Sequence, residues 1–350
     1  MHACLRMMAL RIVFLGSDPI ALPLLEWLAA AGREEAELVG VFTQPDRAVG
    51  RGQQVMPNPV KQWAAAHRLP VLQPAKLTET ARLELAALEP DLALVMAYGH
   101  ILRDDFINTP RGGTLNLHAS LLPRFRGASP IQCAVAAGER ETGVTLMRIV
   151  RALDAGPVAD EERVAIEPLD TAHEVEGKLA VACVPLLQRN LPRLAAGELT
   201  FREQDHAGAT YCRRLVKADG VLDFHASAAA LAARINGLFP WPGCAIEVLG
   251  QTIKLGLADV APQGEPGAAA PVGPSALTQP PERRVGEVLG ADAAGLLVGT
   301  GAGVLRLRRL QRPGGRMLPA AEFLRGHSIP PGTQLPSQTM PVLWSSQPLR

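Results

Sequence analysis

Apolar runs alternate with helical patterns through the first part of the chain. Helical periodicity predicts helices near residues 19–31, 60–67 and 81–88, and the Gly/Arg-rich stretch Arg47–Pro59 is expected to be a loop. The runs interpreted as strands are Leu10–Leu15, Leu38–Thr43, Val71–Leu72, Asp91–Ala97 and Thr114–His118. Strands that are apolar on both faces and alternate with helices are typical of an open, mostly parallel α/β sheet.

The pattern changes after about residue 205, where short strands separated by turns follow a helical segment at 226–236. The predicted strands are Ala245–Leu249, Thr252–Leu257, Gly286–Leu289, Leu296–Gly299 and Val304–Leu310. Several short strands with turn signals favour a small β-barrel. The fold class predicted is therefore α/β, with a Rossmann-like sheet domain followed by a small OB-like β-barrel.

We place the domain boundaries where the composition changes. The segments are an N-terminal extension (1–9), the sheet domain (10–205), a linker (206–214), the β-barrel (215–332) and a tail (333–350). Residues 261–282 are rich in Pro, Gly and Ala, so we expect a disordered insertion there. The tail is likewise not expected to form regular structure.

Composition excludes several classes of protein. The chain has 350 residues, 47% of them hydrophobic, which is enough for two cores. No run approaches the roughly 18–20 apolar residues of a membrane span. The five cysteines are widely spaced and lack CxxC pairs, so neither a disulfide framework nor a zinc site is predicted, and we expect a cytoplasmic protein.

The net charge of +1 is unevenly distributed, with +5 in residues 211–350 and −4 in residues 1–210. Such asymmetry is typical of a half that meets a polyanion. A solvated basic face is the alternative interpretation.

The densest polar cluster follows the strand at 114–118. Alternation places Asn116 and His118 on one face at the carboxyl end of the strand, where open α/β sheets bind ligands. Asp154 precedes an Ala-Gly-Pro turn further along. The alternatives are a hydrogen-bonded Asn with a partly exposed His, and an Asp that caps its own turn. Neither a dinucleotide fingerprint nor a P-loop is present in the sequence.

The stretches TLNLHASLLPRFRGASPIQ (114–132) and LDAGPV (153–158) resemble the folate-dependent formyltransferases. Blocks at 41–64, 209–224, 234–248 and 320–332 are similar to the branch of that family that formylates methionyl initiator tRNA. The resemblance runs from about residue 10 to residue 332. The N-terminal extension, the insertion and the tail depart from the family pattern.

The resemblance implies a reaction and a set of roles. The formyl donor would be 10-formyltetrahydrofolate, with no metal, no membrane, initiator methionyl-tRNA as the partner and a monomeric protein. Asn116 and His118 would donate to the formyl oxygen, and Asp154 would support His118 and relay a proton. Folate-binding residues would be Ser120, Leu121, Leu122, Pro123, Tyr98 and Gly99, and tRNA-binding residues Arg47, Arg51, Lys217, Arg234, Lys254, Arg306 and Arg308.

Three alternatives remain open at this point. The first is a formyltransferase that acts on another amine, such as a nucleotide sugar or a purine precursor. The second is a hydrolase that releases formate from the same folate. The third is a non-catalytic RNA-binding protein that keeps the formyltransferase fold.

Overall fold

The computed structural model describes residues 9–49, 52–262 and 284–348. Arg51 and nearly all of the predicted insertion therefore lie outside the described residues, as does the extension before residue 9. The chain divides into two compact units that interleave in sequence. The first comprises Met1–Gly127, Thr142–Val164 and Glu176–Thr210, and the second Ala128–Glu141, Ala165–Val175 and Tyr211–Arg350.

The regular elements are numbered in chain order. The strands are β1 (Leu10–Leu15), β2 (Ala36–Phe42), β3 (Arg47–Val49), β4 (Gln54–Met56), β5 (Val71–Leu72), β6 (Leu92–Val95), β7 (Thr114–His118), β8 (Arg126–Gly127), β9 (Glu141–Arg148), β10 (Val158–Ala165), β11 (Tyr211–Cys212), β12 (Cys244–Val248), β13 (Gln251–Val260), β14 (Val288–Ala291), β15 (Leu296–Gly299), β16 (Val304–Gln311), β17 (Leu318–Pro319) and β18 (Trp344–Ser345). The helices are α1 (Leu22–Ala29), α2 (Pro59–Ala66), α3 (Glu79–Ala87), α4 (Asp104–Ile107), α5 (Pro130–Ala136), α6 (Ala172–Ala195), α7 (Ala228–Leu238) and α8 (Ala320–Gly326). Short 3₁₀ helices cover Pro19–Ala21, Ala31–Glu34, His206–Gly208 and Lys217–Gly220.

The first unit is built on a seven-stranded sheet of order β10-β9-β7-β6-β1-β2-β5. Strands β5, β2, β1, β6 and β7 are parallel, and β9 runs antiparallel to β7. The predicted Rossmann-like sheet is therefore confirmed. From β1 the chain builds β2 and β5 on one side and then β6 and β7 on the other, so the order reverses between β1 and β6. Open α/β sheets bind ligands beside the carboxyl ends of the strands at such a reversal.

Burial and capping explain the elements around this edge. The last four residues of β1 and all of β6 are buried, as expected for central parallel strands. Helix α2 begins after Asn58, whose side chain accepts a hydrogen bond from the Lys61 amide. A Cβ on Gly16, just after β1, would lie 2.6 Å from the Met96 carbonyl oxygen. Only glycine therefore lets the chain leave β1 so close to the end of β6.

The segment expected to be a loop at Arg47–Pro59 contains a hairpin instead. Strands β3 and β4 pair antiparallel, from Arg47 opposite Met56 to Val49 opposite Gln54. All three residues of β4 are exposed. The expectation missed the hairpin because a strand as short and exposed as β4 contributes no core residue, and hydrophobic alternation is then a weak signal.

The second unit contains an antiparallel sheet of order β12-β13-β16-β15-β14, with β17 paired to β16. The predicted C-terminal β domain is confirmed as an antiparallel half-barrel. Helix α7 packs on β13 and α5 packs on α7. A Cβ on Gly237 would lie 2.4 Å from the Ala136 amide nitrogen, so glycine permits this close approach of α5 and α7.

The expectation that the tail lacks structure is wrong for residues up to 348. The Leu335 amide donates to the Gly286 carbonyl at 2.8 Å, and Trp344 pairs with Cys212 in a short ladder. Leu335 and Leu343 are each 1% exposed. The tail adds backbone hydrogen bonds and two apolar anchors to the second unit. The sequence did not indicate these contacts, because neither requires the hydrophobic periodicity by which helices and strands are recognised.

Candidate active site

The polar cluster predicted from sequence lies at the carboxyl end of β7, in the first unit. Asn116 is half-buried and lies beside Val95 of β6. His118, two residues further on, is 6% exposed and lies opposite Thr145 of β9. Strand β7 therefore carries both side chains to the edge of the sheet where a ligand is expected.

His118 is fixed through one ring nitrogen and faces a carboxylate with the other. Nε2 lies 3.0 Å from the Phe125 carbonyl oxygen. Because a carbonyl only accepts, Nε2 must carry the hydrogen. Nδ1 lies 3.8 Å from Oδ2 of Asp154, which is longer than a hydrogen bond. Nδ1 is therefore the ring nitrogen that can exchange a proton with a further group.

Asp154 reaches the site from a loop between β9 and β10. Its φ is +46°, an uncommon conformation for a residue with a Cβ. Oδ2 accepts a hydrogen bond of 2.7 Å from the Gly127 amide, and the side chain is 18% exposed. The carboxylate therefore bonds a group distant in sequence rather than capping its own turn.

Two buried residues that sequence reasoning missed support this loop. The Gln204 amide nitrogen donates to the carbonyl oxygens of Asp154 at 2.9 Å and Gly156 at 2.7 Å. Its oxygen accepts from Nε and Nη2 of Arg126, at 3.2 and 2.6 Å. Arg126 lies within the stretch that resembles the family, but Gln204 is far away in sequence and no motif marks it.

In the turn predicted to bind folate, several polar groups already form hydrogen bonds within the protein. The Ser120 hydroxyl donates to the Arg124 carbonyl at 2.7 Å, and the Ser120 carbonyl accepts from the Thr145 hydroxyl at 2.7 Å. The Leu122 amide donates to the Thr145 hydroxyl oxygen, and its side chain packs against Met147 and Val158. Ser120 and Leu122 therefore stabilise the conformation of the turn.

The other two residues of the turn, Leu121 and Pro123, are only half-buried. They are the members of the predicted set with side-chain surface left for a ligand.

The segment after β6 carries buried polar atoms without partners. Tyr98 is 2% exposed, and neither its hydroxyl nor Nε2 of His100 has a hydrogen-bond partner within the described ranges. The two rings meet edge to face with centroids 5.1 Å apart. Burial raises the pKa of the Tyr98 hydroxyl above its ordinary value, so it stays a neutral donor. Burial, together with the charge of Arg47, lowers the pKa of His100. Gly99 is exposed, with φ at +79°.

Three of the basic residues predicted to contact tRNA have exposed side chains. Arg47, on β3, donates to the Gln44 side-chain oxygen at 2.7 Å. Lys217 and Lys254 are exposed in the second unit, and neither has an ion pair with any described residue.

The other three described candidates are engaged within the second unit. Arg306 donates twice to the Asp259 carboxylate, at 2.8 and 2.6 Å, and Arg308 donates to it at 2.8 Å. Arg234 is 7% exposed, and its Nη2 donates to the carbonyls of Asp219 and Pro341. Burial lowers the pKa of Arg234. Because it lies in the interior, Arg234 is removed from the candidate tRNA contacts.

Over the described part of the chain, no group of three or more His, Cys, Asp or Glu side chains could hold a metal ion. No helix in the same ranges is both long and apolar enough to cross a membrane.

Comparison with known proteins places these features in a family. A model described as "Formyl transferase" matches residues 10–190, and one described as "Formyl transferase, C-terminal domain" matches residues 214–328. A protein of Aromatoleum aromaticum named methionyl-tRNA formyltransferase is 40% identical over 325 residues, covering 92% of this chain and 96% of that protein. One of Ectopseudomonas mendocina with the same name is 42% identical over 330 residues, covering 93% and 98%.

Solved structures share the fold at lower identity. The sugar 3N-formyl transferase WlaRD, crystallised with dTDP and 5-N-formyl-THF, superposes with a TM-score of 0.61 at 15% identity, covering 88% of this chain and 99% of that one. HypX from Aquifex aeolicus, in complex with tetrahydrofolic acid, gives a TM-score of 0.57 at 17% identity, covering 90% and 47%. From the family models and the similarity to the curated relatives, this chain belongs to the formyl transferase family.

Proposed function

We propose that this protein transfers the formyl group of 10-formyltetrahydrofolate to the α-amino group of methionyl initiator tRNA. The observation that carries the proposal is the arrangement of buried His118 and half-buried Asp154, with Nδ1 and Oδ2 3.8 Å apart at the carboxyl edge of the sheet. The relatives named methionyl-tRNA formyltransferase, which align with 92% and 93% of this chain, support the choice of acceptor.

The reaction moves an acyl group between two nitrogens. A bond forms between the α-amine and the formyl carbon, the bond from N10 to that carbon breaks, and one proton passes from the amine to N10. The folate supplies the formyl group and the leaving nitrogen. The protein must then remove a proton, return a proton and stabilise the negative charge that develops on the formyl oxygen.

His118 and Asp154 are suited to the proton transfers. Since Nε2 of His118 is held by the Phe125 carbonyl, Nδ1 is the atom that accepts or donates. The Asp154 carboxylate stabilises the positive charge on the ring while it holds the extra proton. Oδ2 keeps its place through the Gly127 amide.

Asn116 is suited to stabilise the formyl oxygen. It lies on β7 two residues before His118 and therefore on the same face, and it is half-buried. Its side-chain amide has two N–H donors, and loss of one such donor typically costs about 10²–10³ in rate.

The residues beside this pair fit a folate. The unpartnered Tyr98 hydroxyl and His100 Nε2 need polar partners, which the heteroatoms of a pterin supply. Half-buried Leu121 and Pro123 offer apolar surface on the neighbouring turn. Gly99 leaves its backbone groups accessible.

For the tRNA, we propose contacts from Arg47, Lys217 and Lys254, with Arg51 added on the basis of the family resemblance. The hairpin β3–β4 carries Arg47, and all of β4 is exposed. Arginine guanidinium groups can stack on the unpaired bases of single-stranded RNA. We expect the protein to act as a monomer in the cytoplasm.

The decisive test is formylation by the purified protein. With 10-formyltetrahydrofolate as donor, we expect radiolabelled formyl to be incorporated into initiator methionyl-tRNA and not into elongator methionyl-tRNA. Incorporation into an amino sugar nucleotide instead would contradict the proposed acceptor. Release of formate without incorporation would indicate a hydrolase.

A further inference from the structure

Gln204 and Arg126 connect the segments that hold His118 and Asp154. Three consecutive residues each make one contact with this part of the site. The Phe125 carbonyl accepts a hydrogen bond from His118, and the Gly127 amide donates one to Asp154. Between them, the Arg126 side chain donates to Gln204. Arg126 is 2% exposed and Gln204 6% exposed, so the connection is shielded from water. We call Gln204, Arg126 and the carbonyls of Asp154 and Gly156 the Gln204 clamp.

The hydrogen-bonding capacity of Gln204 is fully used within the clamp. A primary amide has two N–H donors and two acceptor sites. The donors bond the carbonyls of Asp154 and Gly156, and both acceptor sites receive N–H groups of Arg126. Turning the amide over would set its oxygen against two carbonyl oxygens and its nitrogen against a guanidinium. A single orientation of Gln204 is therefore stable.

Asp154 has a particular need for this support. Its φ of +46° is sparsely populated by residues with a Cβ, and such conformations persist only where the surroundings hold them. Gln204 bonds the carbonyl of Asp154 itself and that of Gly156, so it holds the loop on both sides of Ala155.

We infer that Gln204 is a positioning residue for the formyl transfer. It acts through Asp154: by tying the loop to Arg126, it sets where the Asp154 carboxylate lies relative to Nδ1 of His118. The inference rests on the proposed function for its effect on rate, whereas the structural effect on the loop does not depend on that function.

The kinetic test compares Gln204→Ala in two backgrounds. In the otherwise wild-type protein, we expect kcat for formylation to fall about 10- to 100-fold, because small misplacements of acting groups cost this much, while KM for both substrates stays the same. In an Asp154→Asn background, the same change should cost less than about 3-fold, since residues that act as a unit are not additive. An equal loss in both backgrounds would overturn the inference.

Asn190 provides a matched control for the loss of a buried amide. It is fully buried, and its Nδ2 donates to the Asp160 carboxylate at 2.7 Å and to the Leu186 carbonyl at 2.8 Å, and neither partner bonds His118 or Asp154. Asn190→Ala should lower the unfolding temperature without changing kcat. If it lowers kcat as much as Gln204→Ala, the effect is general destabilisation and the inference fails.

A second variant preserves the shape of the side chain. Gln204→Glu keeps acceptors for Arg126 but replaces the N–H groups with oxygen, which faces the carbonyls of Asp154 and Gly156. We expect it to lose at least as much kcat as Gln204→Ala. Wild-type kcat in Gln204→Glu would show that the two donated hydrogen bonds are not required.

A hydrogen-exchange measurement separates the clamp from the activity. In Gln204→Ala the Gly127 amide should exchange at least about tenfold faster, because its carboxylate acceptor is no longer held, while Phe14 in β1 keeps its protection. If the wild-type protein does not formylate methionyl-tRNA but Gly127 loses protection, the clamp stands and the proposed function fails. If the wild-type protein is active and Gly127 keeps its protection, the clamp is overturned.

Discussion

His118 depends on three groups that come from two separate parts of the chain. The Phe125 carbonyl fixes the direction of the ring, Asp154 faces Nδ1, and the Gly127 amide fixes the carboxylate. The two backbone groups belong to the turn between β7 and β8 and to β8 itself, so a change in that turn would displace the acid–base pair as a whole. Side-chain variants at Asp154 leave the turn intact and isolate the role of the charge.

Asp154→Asn should lower kcat by about 10²-fold or more, the range attributed to positioned acid–base groups. The amide oxygen can still accept from the Gly127 amide, so the unfolding temperature and folate affinity should stay close to those of the wild type. Single-turnover formylation and folate titration measure the two effects. Asp105→Asn, at a 43% exposed carboxylate paired with Arg103, is the control and should keep full activity. A variant that retains more than a tenth of the wild-type rate would exclude the assigned role for Asp154.

The sequence identified Asn116, His118 and Asp154 because they lie in short motifs, and the structure brings His118 and Asp154 together. It did not identify Gln204, because a glutamine that bonds backbone carbonyls carries no local pattern. The sequence also gives no sign that Arg234 bonds backbone carbonyls, so its predicted surface position was wrong. A basic residue is expected at the surface, whereas the carbonyls of Asp219 and Pro341 hold this one inside the second unit.

At the level of elements, β1, β5, β7 and β15 begin and end where the sequence predicted. The sequence analysis did not predict strand β10 or helix α6, and each omission has a physical reason. Strand β10 carries Asp160, Glu161 and Glu162, which resemble a polar loop in sequence but are neutralised by Arg189 and Arg202. Helix α6 contains two internal prolines, which normally indicate helix ends.

The ladder between β13 and β16 supports a prediction about pH. Asp259 lies opposite Arg306 in the register. Burial raises the pKa of Asp259, but hydrogen bonds from Arg306 and Arg308 outweigh it, and the pKa is lowered overall. A carboxyl group whose pKa is lower in the folded state stabilises the fold above its unfolded pKa of about 3.9. That stability is lost as the pH falls through the folded value.

Asp259→Asn should therefore lower the free energy of unfolding at pH 7 by about 1.5–3 kcal/mol, the usual contribution of hydrogen bonds to charged groups. The difference from the wild type should shrink as the pH is lowered below about 4. Urea unfolding at several pH values measures this. Asp292→Asn, which removes a more exposed partner of Arg306, should have a smaller effect. A difference that is independent of pH would rule out the ion pair as its cause.

At the level of the whole molecule, the interleaving of the two units limits how the chain can be cut. Helix α5 precedes much of the first unit in sequence but belongs to the second, where it packs on α7. A fragment that ends at Thr210 keeps α5 and loses α7, so the surface of α5 that packs on α7 beside Ala136 would be exposed. We expect this fragment to bind a hydrophobic dye and to elute as aggregates in gel filtration. A monomeric fragment that unfolds cooperatively without binding the dye would contradict this.

Because truncation is unsuitable, the role of the basic C-terminal half in tRNA binding is better tested by substitutions that each remove one positive charge. Residues 211–350 carry a net charge of +5, but Arg306 and Arg308 are already paired with the carboxylates of Asp259 and Asp292. Lys217 and Lys254 are exposed and lack an ion pair with any described residue. Among the predicted tRNA contacts of this half, they are therefore the charges best able to release counterions from a phosphate backbone.

Lys217→Gln and Lys254→Gln should each weaken tRNA binding and reduce the slope of log Kobs against log salt by up to about 0.7–0.9, the value for one phosphate contact. Arg308→Gln is the matched control: it removes the same charge, but from a side chain that already bonds a carboxylate, so the slope should hardly change. Filter binding of initiator tRNA over a range of salt concentrations measures all three. Unchanged slopes for both lysine variants would leave recognition to the β3–β4 hairpin. A reduced slope for Arg308→Gln alone would mean that the Asp259 pair opens when tRNA binds.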